Sequence, residues 1–265
     1  MLIRKCKRTI TAFLVLCLMA FLCACGNKEE EKTEEKKNVP PKDYIGSIDK
    51  DTLKMNGDGS ILEIACDDYS KVDFNISTLE SDLKQEIADY NEKNGKTDIS
   101  FLQYRNDSGV IKVAIKYLNI EAYNKFNGTD YRLEMYSPDA IQKIHMDELE
   151  KQAEVIINSK IETLSEGELA EAGISKDDLN DPVRIAELTG ASPDAELSDE
   201  KGTKVKAKDI ENETYMMLIT NMEISFDAGN GEVCYVNDHA KIAGKNSAET
   251  DGKGFSAIVF TLGID

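Results

Sequence analysis

The chain is poor in the residues that most often build catalytic and metal centres. Its 265 residues include two histidines, His145 and His239, which lie far apart in the sequence. No H-E-x-x-H or C-x-x-C motif occurs, so the usual ligand spacing of a zinc site is missing. There is also no G-x-S-x-G motif and no glycine-rich phosphate loop. We therefore expect no cofactor and assign no catalytic, cofactor-binding or metal-binding residue.

Positive charge is also scarce. Lysine and arginine number 32 against 50 acidic residues, which gives a formal net charge of −18. This excess argues against a nucleic-acid partner and against direct docking on anionic lipid, because both surfaces are negative. It permits the binding of cations, cationic peptides or basic protein surfaces. The alternative is that the acidity only keeps the protein soluble.

The chain lacks an apolar run long enough to span a bilayer. Residues 10–24 are apolar except for Thr11, and about fifteen residues fall short of the roughly 20 that a spanning helix needs. Four cations precede the run: Arg4, Lys5, Lys7 and Arg8. A basic start followed by a short apolar run is typical of a secretory signal peptide. A plain signal peptide and an uncleaved anchor remain alternatives to the more specific interpretation that follows.

The end of the apolar run, Leu22-Cys23-Ala24-Cys25, resembles the lipobox of bacterial lipoproteins. Cys25 fits the modified cysteine because Ala24 precedes it, whereas Cys23 would place Leu22 where a small residue is needed. The resemblance implies cleavage between Ala24 and Cys25 and attachment of acyl chains such as palmitate to Cys25. Two or more such chains hold a protein stably at a membrane, here on the extracytoplasmic face of the cell membrane.

A charged segment follows the predicted cleavage point. Residues 25–43 mix lysine and glutamate, contain little apolar surface and include Pro40-Pro41. Such a composition cannot bury enough surface to fold. We therefore predict a signal peptide over residues 1–24, a flexible tether over 25–43 and a folded body from residue 44.

The body is predicted to be α+β. Residues 44–136 read as β-α-β-β-α-β, the split-βαβ order of ferredoxin-like sandwiches. The signals are a capping box of Ser77 and Glu80 that opens a helix ending at Gly95, and Asn119 as the cap of a shorter helix. Residues 137–202 read as helices and loop, with "EVIIN" either helix or strand. Residues 203–265 predict a small antiparallel sheet.

Two strands of the first domain show clear alternation. "SILEIAC" places Leu62, Ile64 and Cys66 on one face of a half-buried strand. "VIKVAIKY" directs Ile111, Val113, Ile115 and Tyr117 inward. These two patterns predict the core of the sheet.

The remaining polar candidates are weak. Cys66 and Cys234 follow residue 25 and are either buried thiols, which we favour, or partners in a disulfide. Asp67-Asp68 could be functional carboxylates at a strand end, but a solvated turn is favoured. Residues 54–60 and 227–232 carry Asp and Asn beside Gly, and they predict tight turns rather than calcium loops.

A wider resemblance covers most of residues 58–130 and a shorter piece near 214–242. The pattern of "DGSILEIACDDY", "ADYNEKNG" and "YNKFNG", with the later "MLITNMEISFDAGNGEVCYV", resembles uncharacterised lipoproteins of clostridial-type Gram-positive bacteria. It implies a surface location and no known activity, and it adds no site residue.

The leading hypothesis is therefore a membrane-anchored extracytoplasmic lipoprotein that acts as a non-enzymatic binding or interaction module for an unknown protein or small molecule. An accessory solute- or ion-binding protein of a membrane transporter is the alternative. A cell-envelope enzyme is the second alternative, and release of a short peptide from the cleaved signal is a further one.

Overall fold

The computed structural model describes residues 42–70, 76–211 and 214–263. The predicted signal peptide, its cleavage point, Cys25 and residues 26–41 of the predicted tether lie outside this range. Within it the chain folds into two β-sheets and five α-helices, which confirms the α+β class. No helix in the described ranges combines the length and the hydropathy of a membrane span.

The first sheet has seven strands in the order β11-β12-β9-β1-β2-β4-β3, and the second has six in the order β5-β8-β13-β10-β6-β7. All pairings are antiparallel except that of β1 with β9. The strands are β1 Thr52–Met55, β2 Ile61–Asp68, β3 Ile99–Asp107, β4 Val110–Tyr117, β5 Arg132–Met135, β6 Glu196–Ser198, β7 Lys204–Lys206, β8 Tyr215–Thr220, β9 Ser225–Asp227, β10 Val233–Val236, β11 Ala240–Gly244, β12 Ser247–Thr250 and β13 Ser256–Thr261.

The α-helices are α1 Leu79–Asn94, α2 Ile120–Asn127, α3 Pro138–Thr163, α4 Glu166–Glu171 and α5 Pro182–Thr189. Helix α2 begins as predicted, because the Asn119 side chain accepts a hydrogen bond from the Ala122 amide. Helix α1 ends at Gly95 in the left-handed conformation, which is also as predicted. Its predicted capping box is wrong: the N-cap is Thr78, and its side chain makes no capping hydrogen bond.

The predicted ferredoxin-like sandwich is not confirmed. Strands β2, β4 and β3 do lie side by side in the antiparallel order that a split βαβ unit requires. However, β1 occupies the position beside β2, and β5 pairs with β8 in the second sheet. The short β1 forms a hairpin with β2, so the place that the fourth strand would take is already filled.

The predicted C-terminal sheet is not confirmed as a separate unit either. Strands β9, β11 and β12 join the first sheet, whereas β8, β10 and β13 form the centre of the second. Strand β6 is three residues long and lies in residues 137–202, for which the sequence predicted helices and loop. The predicted division into domains at residues 136 and 202 stays a prediction.

One continuous core fills the space on the inner face of the first sheet. Helices α1 and α2 pack against β2, β4 and β3. The side chains that point inward are, as predicted, Ile111, Val113, Ile115 and Tyr117. Against β1, β9 and β12 packs the second sheet, and the rings of Phe226 and Phe260 meet there with centroids 4.8 Å apart.

The outer face of the first sheet is covered by the N-terminal segment, residues 42–48. Tyr44 and Ile48 pack beside Leu62, Ile64 and Cys66. Polar contacts fix the segment: the Gln103 Oε1 atom accepts from the Tyr44 amide at 2.7 Å, Arg105 lies 3.0 Å from Asp43, and Lys112 donates to the Ile48 carbonyl at 2.7 Å. Asp43, the last residue of the predicted tether, is therefore part of the folded body.

Helix α3 covers the outer face of the second sheet. It starts where predicted, with Ser137 accepting from the Ala140 amide and Pro138 in the first turn. It runs through "EVIIN", so that segment is helix rather than strand. Ile141 and Ile144 pack on Met217, Ile219 and Val259 of the sheet, while the second half packs on α5 through Leu149, Ala153 and Ile185.

Candidate functional site

A cleft of about 330 Å3 lies between α3 and one end of the second sheet. Its walls are formed by α3, by residues 191–196, by β7 and by the turn after β10. Both histidines of the chain line it, and we call it the histidine cleft. Residues almost a hundred positions apart in sequence are brought together here because α3 packs across the sheet.

The wall formed by α3 is fastened to the loop opposite it. His145 and Glu148 are three residues apart on this helix and so project on the same side. One turn earlier, Gln142 donates to the Pro193 carbonyl at 2.7 Å and accepts from the Ala195 amide at 2.9 Å. This double hydrogen bond fixes the width of the cleft at that end.

His239 is held between two carboxylates. Its Nδ1 atom lies 3.3 Å from Asp251 Oδ1, and its Nε2 atom lies 3.6 Å from Glu148 Oε2. Its own carbonyl accepts from the Asp251 amide at 3.0 Å and from the Ser256 hydroxyl at 2.8 Å. The backbone and the ring are therefore both fixed, and the imidazole connects α3 to the β12–β13 loop.

The contact between His239 and Glu148 depends on Gly254. A Cβ atom at residue 254 would lie 2.5 Å from His239 Nε2 and 2.6 Å from Glu148 Oε1. The same Glu148 oxygen accepts a hydrogen bond from the Phe255 amide at 2.6 Å. The glycine is thus required by a close approach of side chains.

The tautomer of His145 follows from its partner. Its Nε2 atom lies 2.8 Å from the Ser192 carbonyl oxygen. A carbonyl oxygen can only accept, so Nε2 carries a proton and donates. His145 thereby ties α3 to the loop at residue 192 and is part of the wall.

The other carboxylates of the cleft are paired with lysines. Lys204 lies 3.3 Å from Asp238 and 3.7 Å from Glu196. Asp194 contacts Lys206 at 2.6 Å and Lys208 at 3.0 Å, and the hydrogen bond from Lys206 is the largest cause that lowers the pKa of Asp194. Between these charges lie the apolar side chains of Ile141, Ile144, Leu149, Ala195 and Ala257.

Asp251 orients His239 in the manner of an acid–base pair. The Lys253 amide lowers the pKa of the Asp251 carboxyl, and His239 lowers it further, which keeps the carboxylate charged beside Nδ1. Such a pair leaves Nε2 able to exchange a proton. However, Nε2 faces Glu148, and Ser192, the one hydroxyl side chain that lines the cleft among the described residues, donates to the Asp194 carbonyl at 3.1 Å.

The acidic positions that the sequence singled out lie elsewhere. Asp67 and Asp68 face an open surface shared with Asp49, Asp107 and Lys112. In the two predicted turns the carboxylates complete the turn: Asp227 accepts from the Gly229 amide at 2.8 Å, and Asp58 accepts from the Ser60 amide at 2.9 Å. No group of three or more His, Cys, Asp or Glu side chains is arranged to hold a metal in the described ranges.

Cys66 and Cys234 are free and half-buried. Burial, followed by the charge of Asp51, raises the pKa of the Cys66 thiol to about 11. Burial likewise raises the pKa of the Cys234 thiol. Thiols with raised pKa values are poor nucleophiles at neutral pH, in keeping with the predicted role as buried side chains.

No family model matches the chain, and neither a curated protein nor a solved structure is significantly similar to it. The resemblance to lipoproteins and the lipid attachment at Cys25 therefore stay predictions. Sequence reasoning missed the histidine cleft because its two histidines share no local motif. The H-x-x-E spacing of His145 and Glu148 is the one local signal, and it is too common to identify a site alone.

Proposed function

We propose that this protein is a membrane-anchored extracytoplasmic lipoprotein that acts as a non-enzymatic binding module, with the histidine cleft as its ligand site. The observation that carries the binding role is the cleft itself: about 330 Å3, with an apolar floor and convergent polar groups. Small-molecule sites have this composition and volumes of about 300–1,000 Å3. The anchoring role is supported by the lipobox at Cys25.

The charges of the cleft favour a small ligand that combines a positive charge with an apolar part. Four carboxylates line it, from Glu148, Asp194, Glu196 and Asp238, against one lining lysine, Lys204, while Lys206 and Lys208 also pair with Asp194. The apolar side chains between them would bury the rest of the ligand. An accessory solute-binding role beside a transporter uses the same cleft and differs only in the partner that receives the ligand.

Binding is tested by thermal unfolding of the mature chain from residue 25 carrying Cys25→Ser, against amino acids, amines, short cationic peptides, sugars and cell-wall fragments. A ligand at 100 times its Kd stabilises the fold by about 2.7 kcal/mol. For a domain of this size, the melting temperature then rises by about 5–10 °C. Glu148→Gln should reduce the response, because it removes charge without changing shape.

The matched control is Glu150→Gln, which alters an exposed carboxylate on the same helix, outside the cleft. It should leave the response unchanged. Equal responses of the two variants would place the ligand elsewhere. A panel without any saturable shift would leave a protein partner as the form of binding, to be sought by crosslinking on intact cells.

The anchor is tested by metabolic labelling with radioactive or alkyne-tagged palmitate in a Gram-positive host. The parent chain should carry the label in the membrane fraction. Cys25→Ser should lose it, whereas Cys23→Ser, two residues upstream in the same segment, should keep it. Loss of label from the Cys23 variant alone would contradict the assignment of Cys25.

A further inference from the structure

A carboxylate lies inside the core of the first sheet. Glu63 sits on β2 between Ile61 and Ala65, which face the same core, and only 5% of its surface is exposed. Tyr117 donates to its Oε2 atom at 2.6 Å. A buried charge is costly unless it is paired as well as hydrogen-bonded, and no cationic side chain of the described residues forms an ion pair with Glu63.

The tyrosines around Glu63 form a connected cluster. The ring of Tyr117 meets that of Tyr123 with centroids 5.0 Å apart, and Tyr123 meets Tyr131 at 5.2 Å. Asn127, which is fully buried, donates to the Tyr117 hydroxyl at 3.2 Å. This network fixes the Tyr117 hydroxyl as a donor to Glu63.

A small cavity adjoins the carboxylate. It has a volume of about 20 Å3, and its wall includes Glu63, Asp51, Tyr123, Tyr131 and the link between β8 and β9 at residues 222–224. We call it the Glu63 cavity. The carboxylate of Asp51 is fixed beside it by the Cys66 amide, which donates to Oδ1 at 2.8 Å.

The hydroxyl of Tyr131 on this wall has no hydrogen-bond partner in the described part of the chain, although the residue is 98% buried. Thr220 and Tyr123 lie near it without reaching hydrogen-bond geometry. A buried unpartnered hydroxyl costs stability. Beside two carboxylates, it indicates that the cavity receives an atom that oxygen ligands can bind.

We propose that the Glu63 cavity binds a hard, oxygen-preferring divalent cation, for which calcium is the probe. Asp51 and Glu63 would supply the negative charge and Tyr131 a neutral oxygen. Carboxylate oxygens are donors that hard cations prefer. Glu223, the third acidic residue of the wall, is exposed and is not assigned as a ligand. The volume suffices for one ion or water, so backbone carbonyls of the wall would have to complete the six to eight oxygen ligands that calcium takes.

The ion would connect the two sheets. Asp51 and Glu63 belong to the segment of β1 and β2 in the first sheet, whereas Tyr131 precedes β5 and residues 222–224 follow β8 of the second. The proposal does not involve the histidine cleft, which has a different wall, and either can fail without the other.

The test uses tyrosine-sensitised terbium emission, because the chain contains no tryptophan, Tyr123 and Tyr131 line the cavity, and Tyr117 contacts Glu63. The mature chain with Cys25→Ser should give saturable emission that calcium displaces. In parallel, calcium at about 10 mM, about 100 times a Kd of 10⁻⁴ M, should raise the melting temperature by about 5–10 °C. Potassium chloride of equal ionic strength should not.

Two variants locate the ion. Tyr131→Phe removes only the unpartnered hydroxyl, keeps the other sensitising tyrosines and should weaken calcium binding several-fold without loss of fold. Glu63→Gln keeps an acceptor for Tyr117 and should abolish binding. Glu121→Gln, an exposed carboxylate on α2, should bind calcium like the parent.

The proposal is overturned if calcium changes neither the terbium emission nor the melting temperature of the parent in a saturable way, because Glu63 is then protonated rather than bound to an ion. It is equally overturned if Tyr131→Phe and Glu121→Gln respond identically to the parent, because terbium then binds the acidic surface. If Glu63→Gln does not fold, the comparison of Tyr131→Phe with Glu121→Gln still tests whether the ion binds in the cavity.

Discussion

The histidine cleft and the Glu63 cavity both collect carboxylates, and they differ in what stands beside them. In the cleft, Asp194, Glu196 and Asp238 have lysine partners, and Glu148 has His239. In the cavity, Glu63 accepts a hydrogen bond from Tyr117 but has no cationic side-chain partner among the described residues. The charge of the paired carboxylates is already compensated by cationic side chains. The charge of an unpaired carboxylate in the core must instead be neutralised by a proton or by a bound ion.

The largest loss in the free energy of unfolding is expected when a hydrogen bond of the buried Glu63 network is removed. Tyr117→Phe removes the hydrogen bond that Glu63 accepts from Tyr117 and the acceptor of the Asn127 amide. We expect the free energy of unfolding to fall by about 3 kcal/mol, because two buried polar groups lose their compensation. Urea denaturation followed by circular dichroism measures this.

The control for that change is Tyr136→Phe. The Tyr136 hydroxyl is half-buried and donates to the Ala207 carbonyl at 2.6 Å, but that carbonyl also accepts from the Ile210 amide at 3.2 Å. We expect a loss of only about 1 kcal/mol. If both variants lose the same free energy of unfolding, the Glu63 network contributes no more to stability than an ordinary half-buried tyrosine hydrogen bond.

A smaller effect is expected in the cleft from Gly254→Ala. The new methyl group would force His239 and Glu148 apart. Overpacking of this kind costs about 1–2 kcal/mol, and it should also abolish the response to any ligand held at Glu148. Thermal unfolding with and without ligand measures both.

Gly167→Ala provides the matched control. A Cβ atom at residue 167 meets nothing within 4 Å, and the residue lies in α4. Because alanine is the better helix former, this variant should be more stable by about 0.5–1 kcal/mol and should bind ligand normally. A loss of stability similar to that of Gly254→Ala would mean that the cleft contact is unimportant.

The smallest effects concern pH, and their signs oppose each other. Burial, reinforced by the charge of Asp51, raises the pKa of the Glu63 carboxyl. The folded state then keeps the proton to higher pH than the unfolded state, so stability falls as pH rises above the unfolded value of about 4.3. Without divalent cations, the free energy of unfolding of Glu63→Gln, measured by urea denaturation, should therefore rise relative to that of the parent between pH 5 and pH 8.

Glu249 on the surface should behave in the opposite way. Hydrogen bonds from Lys241 and Lys50 lower the pKa of its carboxyl to about 2. Its stabilisation is present above the unfolded pKa and is lost as pH falls toward 2. Glu249→Gln should cost less than about 1 kcal/mol at neutral pH, as surface ion pairs do. If both glutamine variants show the same pH trend, the contrast between the buried and the exposed carboxylate is wrong.

The parts of the fold that sequence predicted well depend on local signals. Gly95 ends α1, Asn119 caps α2 and the alternation of β4 places Tyr117 inside, each within a few residues of chain. The sheet that β5 joins was not predictable in this way, because pairing with β8 depends on residues eighty positions later.

The candidate sites depend on the same non-local packing. In "SILEIAC", Glu63 interrupts an apolar run and the pattern indicated Leu62, Ile64 and Cys66 as the buried face. Both faces are in fact covered, one by residues 42–48 and the other by helices and the second sheet, so Glu63 is enclosed. Likewise, nothing near His145 in sequence announces His239.

Residues 42–48 and the histidine cleft lie on opposite sides of the two sheets. Gln103, Arg105 and Lys112 hold it on the outer face of the first sheet, and the histidine cleft lies two sheets away, beneath α3. If Cys25 carries the proposed lipid, the membrane would lie on the side of the molecule where residues 42–48 pack. In that arrangement the histidine cleft, on the opposite side of the two sheets, would face away from the membrane.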